Sequence, residues 1–425
     1  MLLFIIPVYP CLVKHFFLFE NIFIAIFAFL GYNGKGINDE RETFMKDFIK
    51  LCYIITAKLI FFCFNLSPKK KKKVTFLISF PENATYIYEE MLRQEVKWQV
   101  CFLCHPRCYE TFKKMGVDTY YVETARLWDT LVGLYHLATS QMVICDNYFG
   151  ILAATPFKDT VKVVQIWHSA GTLKSFGLGD RSLDFRSAAA QRRFFSVYDR
   201  FTHYAVSSPL MADMFKLYYA ADNATFLPTG VARTDFFFDT DAHNTVKGQF
   251  YAQYPQFSGK TMILYAPTFR TNGQMPILDV AELAKTLKET HVLLIKHHPA
   301  VATKVNLAGF EDFAMDVSAH KINELLVVTD ILVTDYSSIP MEFCLLQRSM
   351  VFFVPDLEDY KESNGFYRPF EVAIPGYFVK DTTQLAQVIE AEPENFSPNT
   401  MKGYADVWAT YCKGNSSAAL VRELF

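Results

Sequence analysis

The chain has 425 residues with 51% hydrophobic and 16% aromatic content, enough for two domains and an appendage with sizeable cores, so it should fold. A formal net charge of −2 gives no global basic field and no nucleic-acid module signature is present, so nucleic acid is not expected as a partner. Nine scattered cysteines fit a reducing compartment better than a disulfide scaffold.

Residues 16–30 are intensely apolar, but Lys14 and His15 precede them and Glu20 and Asn21 interrupt them. A second apolar block, 51–66, is broken by Lys58. Neither gives a clean run of the ~18 residues that a spanning helix needs. Pro7 and Pro10, with no basic residue before Lys14, argue against a cleavable signal peptide. Residues 1–66 therefore read as an apolar, membrane-associating segment of interfacial or re-entrant helices. The rivals are a single span over 16–32 and buried core helices. The lysine run 69–73 adds electrostatic attraction to an anionic leaflet, so contact with a membrane surface is expected through residues 1–73. As a solvated linker the run would serve equally well. A real anchor here places the rest of the chain on the cytoplasmic face.

Residues 67–225 alternate predicted strands (74–80, 97–103, 119–122, 142–145, 162–166) with helical patterns (86–94, 127–138), which implies a parallel, doubly wound first domain. Cys101, Cys104, His105 and Cys108 form C-x-x-C-H-x-x-C, a spacing seen in haem and zinc sites. Cys101 falls in a predicted strand and no second ligand pair follows, so these residues read as small buried apolar groups and no metal is expected. Residues 165–177 read QIWHSAGTLKSFG. They place His168 just past a strand's carboxyl end, followed by Ser169, Ala170, Gly171 and Thr172 in a close turn and then Lys174. A neutral imidazole there can take a proton from an alcohol, and the lysine can hold an anion.

Residues 226–425 form a second predicted α/β domain. FLPTGVAR (226–233) is a turn that presents Arg233, a plausible phosphate clamp. Residues 239–259 read as a linker helix. A strand at 261–265 leads to Thr268 and Arg270, and a strand at 291–295, after a helix at 280–290, ends in Lys296, His297 and His298. ILVTDYSSIPMEFCLLQRSMVFFVP (331–355) reads as strand, turn, helix and strand, with Ser337 or Ser338 capping the helix and Pro340 in its first turn. Spacing alone equally allows an ordinary βα turn. Three strand ends bearing these groups suggest a convergent anion site. The aromatic loop 365–376 could cover it, and a last helix near 404–411 could cross back onto the first domain.

These stretches, in order from residue 66 to 425, resemble the CDP-glycerol glycerophosphotransferase family of teichoic acid primases and polymerases. The resemblance is carried by LSPKKKKKVTFLISF and NATYIYEE, QIWHSAGTLKSFG, TGVARTDFF, LYAPTFR, IKHHP, TDYSSIPMEF and DLEDYKESNGFYRPFE. It implies two Rossmann-like domains of GT-B type, with the donor nucleotide in the cleft and no metal or other cofactor. By matching motif, His168 would be the general base and His298 would support the donor phosphates or the departing CMP. Arg233, Thr268, Lys296, His297, Ser337 and Ser338 would bind CDP-glycerol, and Ser169, Gly171 and Thr172 would line the phosphate path. Glu342 stands where the family usually has Asp and would face a donor hydroxyl. Ser169 stands where the family often has Gly or Ala.

The implied reaction transfers glycerol phosphate, or another polyol phosphate such as ribitol phosphate, from a CDP-linked donor to a hydroxyl of a lipid-linked saccharide or polyol-phosphate acceptor. CMP leaves, at the cytoplasmic face of a bacterial membrane. Glycerol and ribitol donors, and primase and polymerase roles, fit the residues equally. A base with the ordinary histidine value predicts activity falling below about pH 6.5. The alternatives are a GT-B glycosyltransferase using a nucleotide sugar and a catalytically silent membrane scaffold.

Overall fold

The computed structural model describes residues 39–68, 70–268, 270, 276, 278–297 and 304–425. The chain divides into two compact units, Met1–Tyr53 and Ile54–Phe425. Of the first, only residues 39–53 are described, and they are helical, at the start of a helix that runs Asp39–Asn65. The apolar block at 16–30 lies outside the described residues. Among the described residues, no helix is long and apolar enough to cross a membrane.

The Ile54–Phe425 unit is built on two all-parallel sheets. The first has strands β1 (Lys73–Ile78), β2 (Gln99–Cys104), β3 (Asp118–Tyr121), β4 (Met142–Cys145), β5 (Lys162–Gln165), β6 (His203–Ala205) and β7 (Thr225–Leu227), in the order β3-β2-β1-β4-β5-β6-β7. The second has β8 (Thr261–Tyr265), β9 (His291–Ile295), β10 (Ala314–Asp316), β11 (Ile331–Thr334), β12 (Ser349–Phe353) and β13 (Phe378–Val379), in the order β10-β9-β8-β11-β12-β13. Both orders reverse beside their first strand, which opens a crevice at the carboxyl edge of each sheet. Central strands such as β1 and β11 are buried along their whole length and therefore read as largely apolar runs in the sequence, with Lys73 and Thr75 as the polar residues of β1.

Several sequence expectations need correction. The boundary expected between residues 225 and 226 falls inside β7, which completes the first sheet. The linker helix expected at 239–259 is present as Thr240–Gln253, and it packs on Ile322–Val328. Lys73, the last of the lysine run, is not available to a membrane. It is buried at the start of β1, and its ammonium donates to Thr139 Oγ1 (2.7 Å). Cys101 belongs to the apolar core on one side of the first sheet, while Cys104 and Cys108 belong to the core on the other.

Two C-terminal helices return to the first lobe. Pro398–Trp408 packs on Pro209–Tyr219, and Ser416–Leu424 packs on Pro81–Arg93. The crossing expected near 404–411 thus continues one helix further. Beside it, Gly171 approaches so closely that an added Cβ would lie 2.8 Å from the Trp408 ring and 3.0 Å from Met341 Cγ.

Arg270 was expected among the anion ligands, but it is a strut in the second lobe. Its guanidinium pairs with Asp335 (2.8 Å) and Asp356 (2.6 Å) and lies over the rings of Tyr336 and Tyr360. Asp335, fully buried at the end of β11, in turn accepts from the Thr268 and Tyr336 amides. Arg270→Met strands that buried carboxylate, so the unfolding free energy is expected to fall by about 3–5 kcal/mol. A denaturation midpoint equal to the wild type's would show that the clamp is not structural.

Candidate active site

His168 lies three residues past β5, where the backbone leaves the sheet sharply. Trp167 adopts a left-handed φ of 53°, a conformation strained for a bulky residue and held here by side chains. The Gln165 side chain accepts from the Trp167 amide (2.9 Å), and Asn83 Nδ2 donates to the Trp167 carbonyl (2.8 Å). The turn aims the His168 imidazole along the rings of Trp167 (centroids 4.5 Å apart) and Phe80 (4.8 Å). The Arg107 guanidinium lies over the Phe80 ring, 4.0 Å from its centroid.

The histidine's tautomer follows from its partner. Nδ1 lies 3.2 Å from the Asp146 carbonyl oxygen, which can only accept, so Nδ1 carries the proton and Nε2 presents a lone pair. Burial pushes the imidazole down to about 4; the Asp146 carbonyl opposes this, and the Arg233 and Arg107 charges add to it. His168 is therefore neutral across the physiological range. The Asp146 carboxylate anchors the strand edge by accepting from the Ser79 and Phe80 amides.

Arg233 connects this loop to the second lobe. Nη1 donates to the His168 carbonyl (3.1 Å), and Nη2 donates to Asn323 Oδ1 (2.8 Å) and pairs with Glu342 Oε2 (3.1 Å). The Arg233 backbone amide donates to Asn83 Oδ1 (2.9 Å). The other Glu342 oxygen accepts from the Ala170 amide (3.3 Å). Glu342, assigned by resemblance to a donor hydroxyl, thus has both oxygens engaged by the first lobe. It lies in the helix Pro340–Phe343, one turn past Ser337 and Ser338. Ser337 Oγ accepts from the Ile339 amide (3.2 Å) in a local turn, but the helix's N-cap is Ile339 with no side-chain cap bond, so neither serine caps it as the sequence suggests. That helix is a single turn, so its dipole is short and its capacity to neutralise an anion is small.

The remaining expected residues are placed as follows. Ser169 Oγ is buried and donates to the Gly171 carbonyl (3.0 Å), and Thr172 Oγ1 accepts from the Lys174 amide (3.2 Å). The Thr268 amide is held by Asp335 (2.8 Å). The Lys296 ammonium donates to the Ser318 (3.0 Å) and His320 (2.6 Å) carbonyls. Burial lowers its affinity for a proton. His297, read as a donor ligand, has both ring nitrogens engaged internally. Nε2 accepts from the Val305 amide (3.0 Å), and Nδ1 meets Ser318 Oγ (3.2 Å) and Asp316 (3.5 Å). His298 lies outside the described residues. The structure therefore gathers His168, Ser169, Gly171, Arg233 and Glu342 at one seam and sets His297 aside as a fold residue.

Asn83, Phe80, Arg107 and Asn323 were not singled out from sequence. Asn83 left one trace, a polar residue on the buried face of a helix, within the NATYIYEE stretch. Phe80 and Arg107 left none, because their role depends on contacts between strand ends distant in sequence.

Residues 59–425 match the family model described as CDP-Glycerol:Poly(glycerophosphate) glycerophosphotransferase. The chain is 32% identical over 375 residues to a teichoic acid glycerol-phosphate primase of Bacillus subtilis (strain 168), covering 87% of this chain and 96% of that protein. It is 32% identical over 345 residues to a teichoic acid poly(ribitol-phosphate) polymerase of Bacillus spizizenii, covering 78% of this chain but 53% of that protein, so it spans about half the length of this relative. A structure of a variant of the wall teichoic acid polymerase TagF with CDPG superposes with a TM-score of 0.68 at 18% identity, covering 89% of this chain and 97% of that one, which shows a shared fold.

The His168 setting can be tested without any substrate. NMR titration of the imidazole is expected to show the Nδ1–H tautomer and a protonation midpoint near 4. Phe80→Ala, which opens one side of the ring to water, should move the midpoint up toward the ordinary ~6.5. A wild-type midpoint already at that ordinary value would refute the buried, neutral base.

Proposed function

We propose, on the premise that this chain belongs to the CDP-glycerol:poly(glycerophosphate) glycerophosphotransferase family, that it transfers a polyol phosphate from a CDP-linked donor to a hydroxyl of a lipid-linked acceptor in teichoic acid synthesis. The observation that carries the reading is the neutral, oriented His168, tied through Arg233 to the helix that follows Ser337 and Ser338. In the proposed step Nε2 of His168 takes the acceptor's hydroxyl proton as that oxygen bonds to the phosphorus bearing the polyol. The bond from this phosphorus to the bridging oxygen breaks, and CMP leaves with that oxygen. Positioning supplies most of the rate, and side-chain cations rather than a metal ion offset the charge on the diphosphate.

Donor choice is decided by incubating the enzyme and a lipid-linked acceptor with CDP-glycerol, CDP-ribitol or UDP-sugars in turn. CMP release from a CDP-polyol is expected, and release of UDP alone would favour the glycosyltransferase. His168→Ala should cut turnover by roughly 10²–10⁴ while leaving donor binding intact. The base must be neutral, so its activity is present above its midpoint and lost as pH falls through it. The buried position shifts that acid limb from the expected ~6.5 to about 4.

The same reading places the reaction at a membrane. In the Ile54–Phe425 unit, Ile55, Leu59 and Phe62 of the helix Asp39–Asn65, with Leu66 just beyond, expose apolar side chains at helical spacing (51–66% exposed), while Ala57 and Phe61 are buried in the core. The exposed Lys70, Lys71 and Lys72 follow. An apolar stripe beside cations fits an interfacial contact with anionic lipid. Deleting residues 1–66 would also remove Phe61 from the core, so substitution on the stripe is the cleaner test. Ile55→Asp, Leu59→Asp and Phe62→Asp together should weaken binding to phosphatidylglycerol vesicles roughly tenfold or more. Undiminished binding would move the contact elsewhere.

A further inference from the structure

A diphosphate bound without metal needs a cation whose charge is not already committed, and most basic side chains at the strand ends are committed. Arg233 is shared between Glu342, Asn323 and the His168 carbonyl, and Arg270 is clamped by two aspartates. The Lys296 ammonium is turned to two carbonyls. Lys174 differs. Among the described residues its ammonium has no hydrogen-bond acceptor and no ion pair, and it lies 5.6 Å from the centroid of the Tyr360 ring.

The backbone of Lys174 is fixed where the lobes meet. Residues 173–175 pair with the aromatic loop of the second lobe: Lys174 forms an antiparallel bridge with Phe366, the Ser175 amide donates to the Gly365 carbonyl (3.2 Å), and the Tyr367 amide donates to the Leu173 carbonyl (3.2 Å). The charges that act on its ammonium are those of Asp335, at the end of β11, and Arg270, after β8. That is the strand edge from which Ser337 and Ser338 project. A first-lobe cation is thus delivered to the second lobe's anion edge by a strand pairing between the lobes.

We propose that Lys174 binds a phosphate oxygen of the donor's diphosphate at this seam, in a position that depends on the pairing of residues 173–175 with 365–367. The proposal rests on the reading of the cleft as a nucleotide-diphosphate site and adds the residue that supplies its free positive charge. Burial lowers the ammonium to about 8, with Asp335 opposing this and Arg270 reinforcing it. Tyr360, the ring facing it, is driven by burial well above its usual range and stays neutral. Asp356 and Tyr336 are engaged with Arg270 and with each other. An arriving phosphate therefore meets a lysine that is charged below about pH 8 and loses its charge above it.

Isothermal titration with CDP and with UDP, which share the diphosphate and differ in base, tests this on the full chain. Lys174→Met should weaken both by roughly ten- to a hundredfold, as expected for loss of a charge-assisted hydrogen bond. Lys174→Arg should keep most of the affinity, and His168→Ala should bind like the wild type. Wild-type affinity for CDP should decline as pH rises through about 8, where the nucleotide's own charge is constant, and that decline should vanish in Lys174→Met. A Lys174→Met protein with unchanged melting that binds CDP as tightly as the wild type overturns the proposal, as does a wild type that binds neither nucleotide. A wild type that grips CDP through Lys174 yet releases no CMP from CDP-polyols with the acceptor present would instead refute the proposed transferase reaction.

Discussion

The buried ion pair between Arg233 and Glu342 joins a residue that follows the first sheet to a residue that follows β11 of the second. Two charges removed from water are costly, and the attraction between them repays that only if the remaining donors and acceptors are also satisfied. Here they largely are: the guanidinium also donates to the His168 carbonyl and to Asn323, and the carboxylate also accepts from the Ala170 amide. Burial nevertheless raises the Glu342 carboxyl above its ordinary value, with Arg233 holding it down, so desolvation offsets much of what the pair contributes to stability. Its geometric effect is large. The loop that carries His168 cannot shift without disturbing the turn that carries Ser337 and Ser338. The tight packing of Gly171 against Trp408 and Met341 leaves that loop little other freedom.

This coupling explains why strain is tolerated one residue before the histidine. A left-handed tryptophan costs on the order of 1–3 kcal/mol and persists only when its surroundings over-determine it. Asn83 is central to that: it donates to the Ile166 and Trp167 carbonyls and accepts from the Arg233 amide, so one side chain fixes both the strained turn and the cross-lobe arginine. The imidazole that results is held by a backbone carbonyl rather than a carboxylate. The carbonyl orients it and offsets part of the lost basicity, and burial still keeps it unprotonated. Such an imidazole is less basic than a free histidine but stays unprotonated across the physiological range, which would suit the proposed reaction, whose rate comes mainly from placement.

The parallel sheets were legible in the sequence because buried parallel strands read as unbroken β-branched and aromatic runs, and the strand-end motifs were legible because turns expose polar residues at the carboxyl edge. The three-residue strands β6 and β7 were not, since HYA and TFL are too short to carry a period, and the domain boundary moved with them. Sequence gave the charges but not their partners. Arg270 and Arg233 look alike as arginines after a turn, yet one is spent on Asp335 and Asp356, the other on the seam, and the acids that decide this lie 65 to 109 residues away in the chain. Likewise Lys73 belongs to a lysine run by sequence and to a buried strand by structure, and His297 and His298 are neighbours of which the first is committed to Val305 and Ser318.

The same desolvation acts on two groups of opposite need. Taking an imidazole out of water favours its neutral form, which a base requires, while taking an ammonium out of water also favours its neutral form, which a phosphate ligand cannot use. Burial brings His168 down to about 4 and Lys174 to about 8, and between those values the histidine is neutral and the lysine charged. The nearby carboxylate Asp335 is what keeps the upper edge of that interval from sinking, because it favours the charged lysine even though its own charge is shared with Arg270. Under the proposed roles, a cleft dry enough to orient a weak base and still able to grip an anion at neutral pH needs an acid behind its lysine and only a carbonyl behind its histidine, and Asp335 and the Asp146 backbone stand in those two positions.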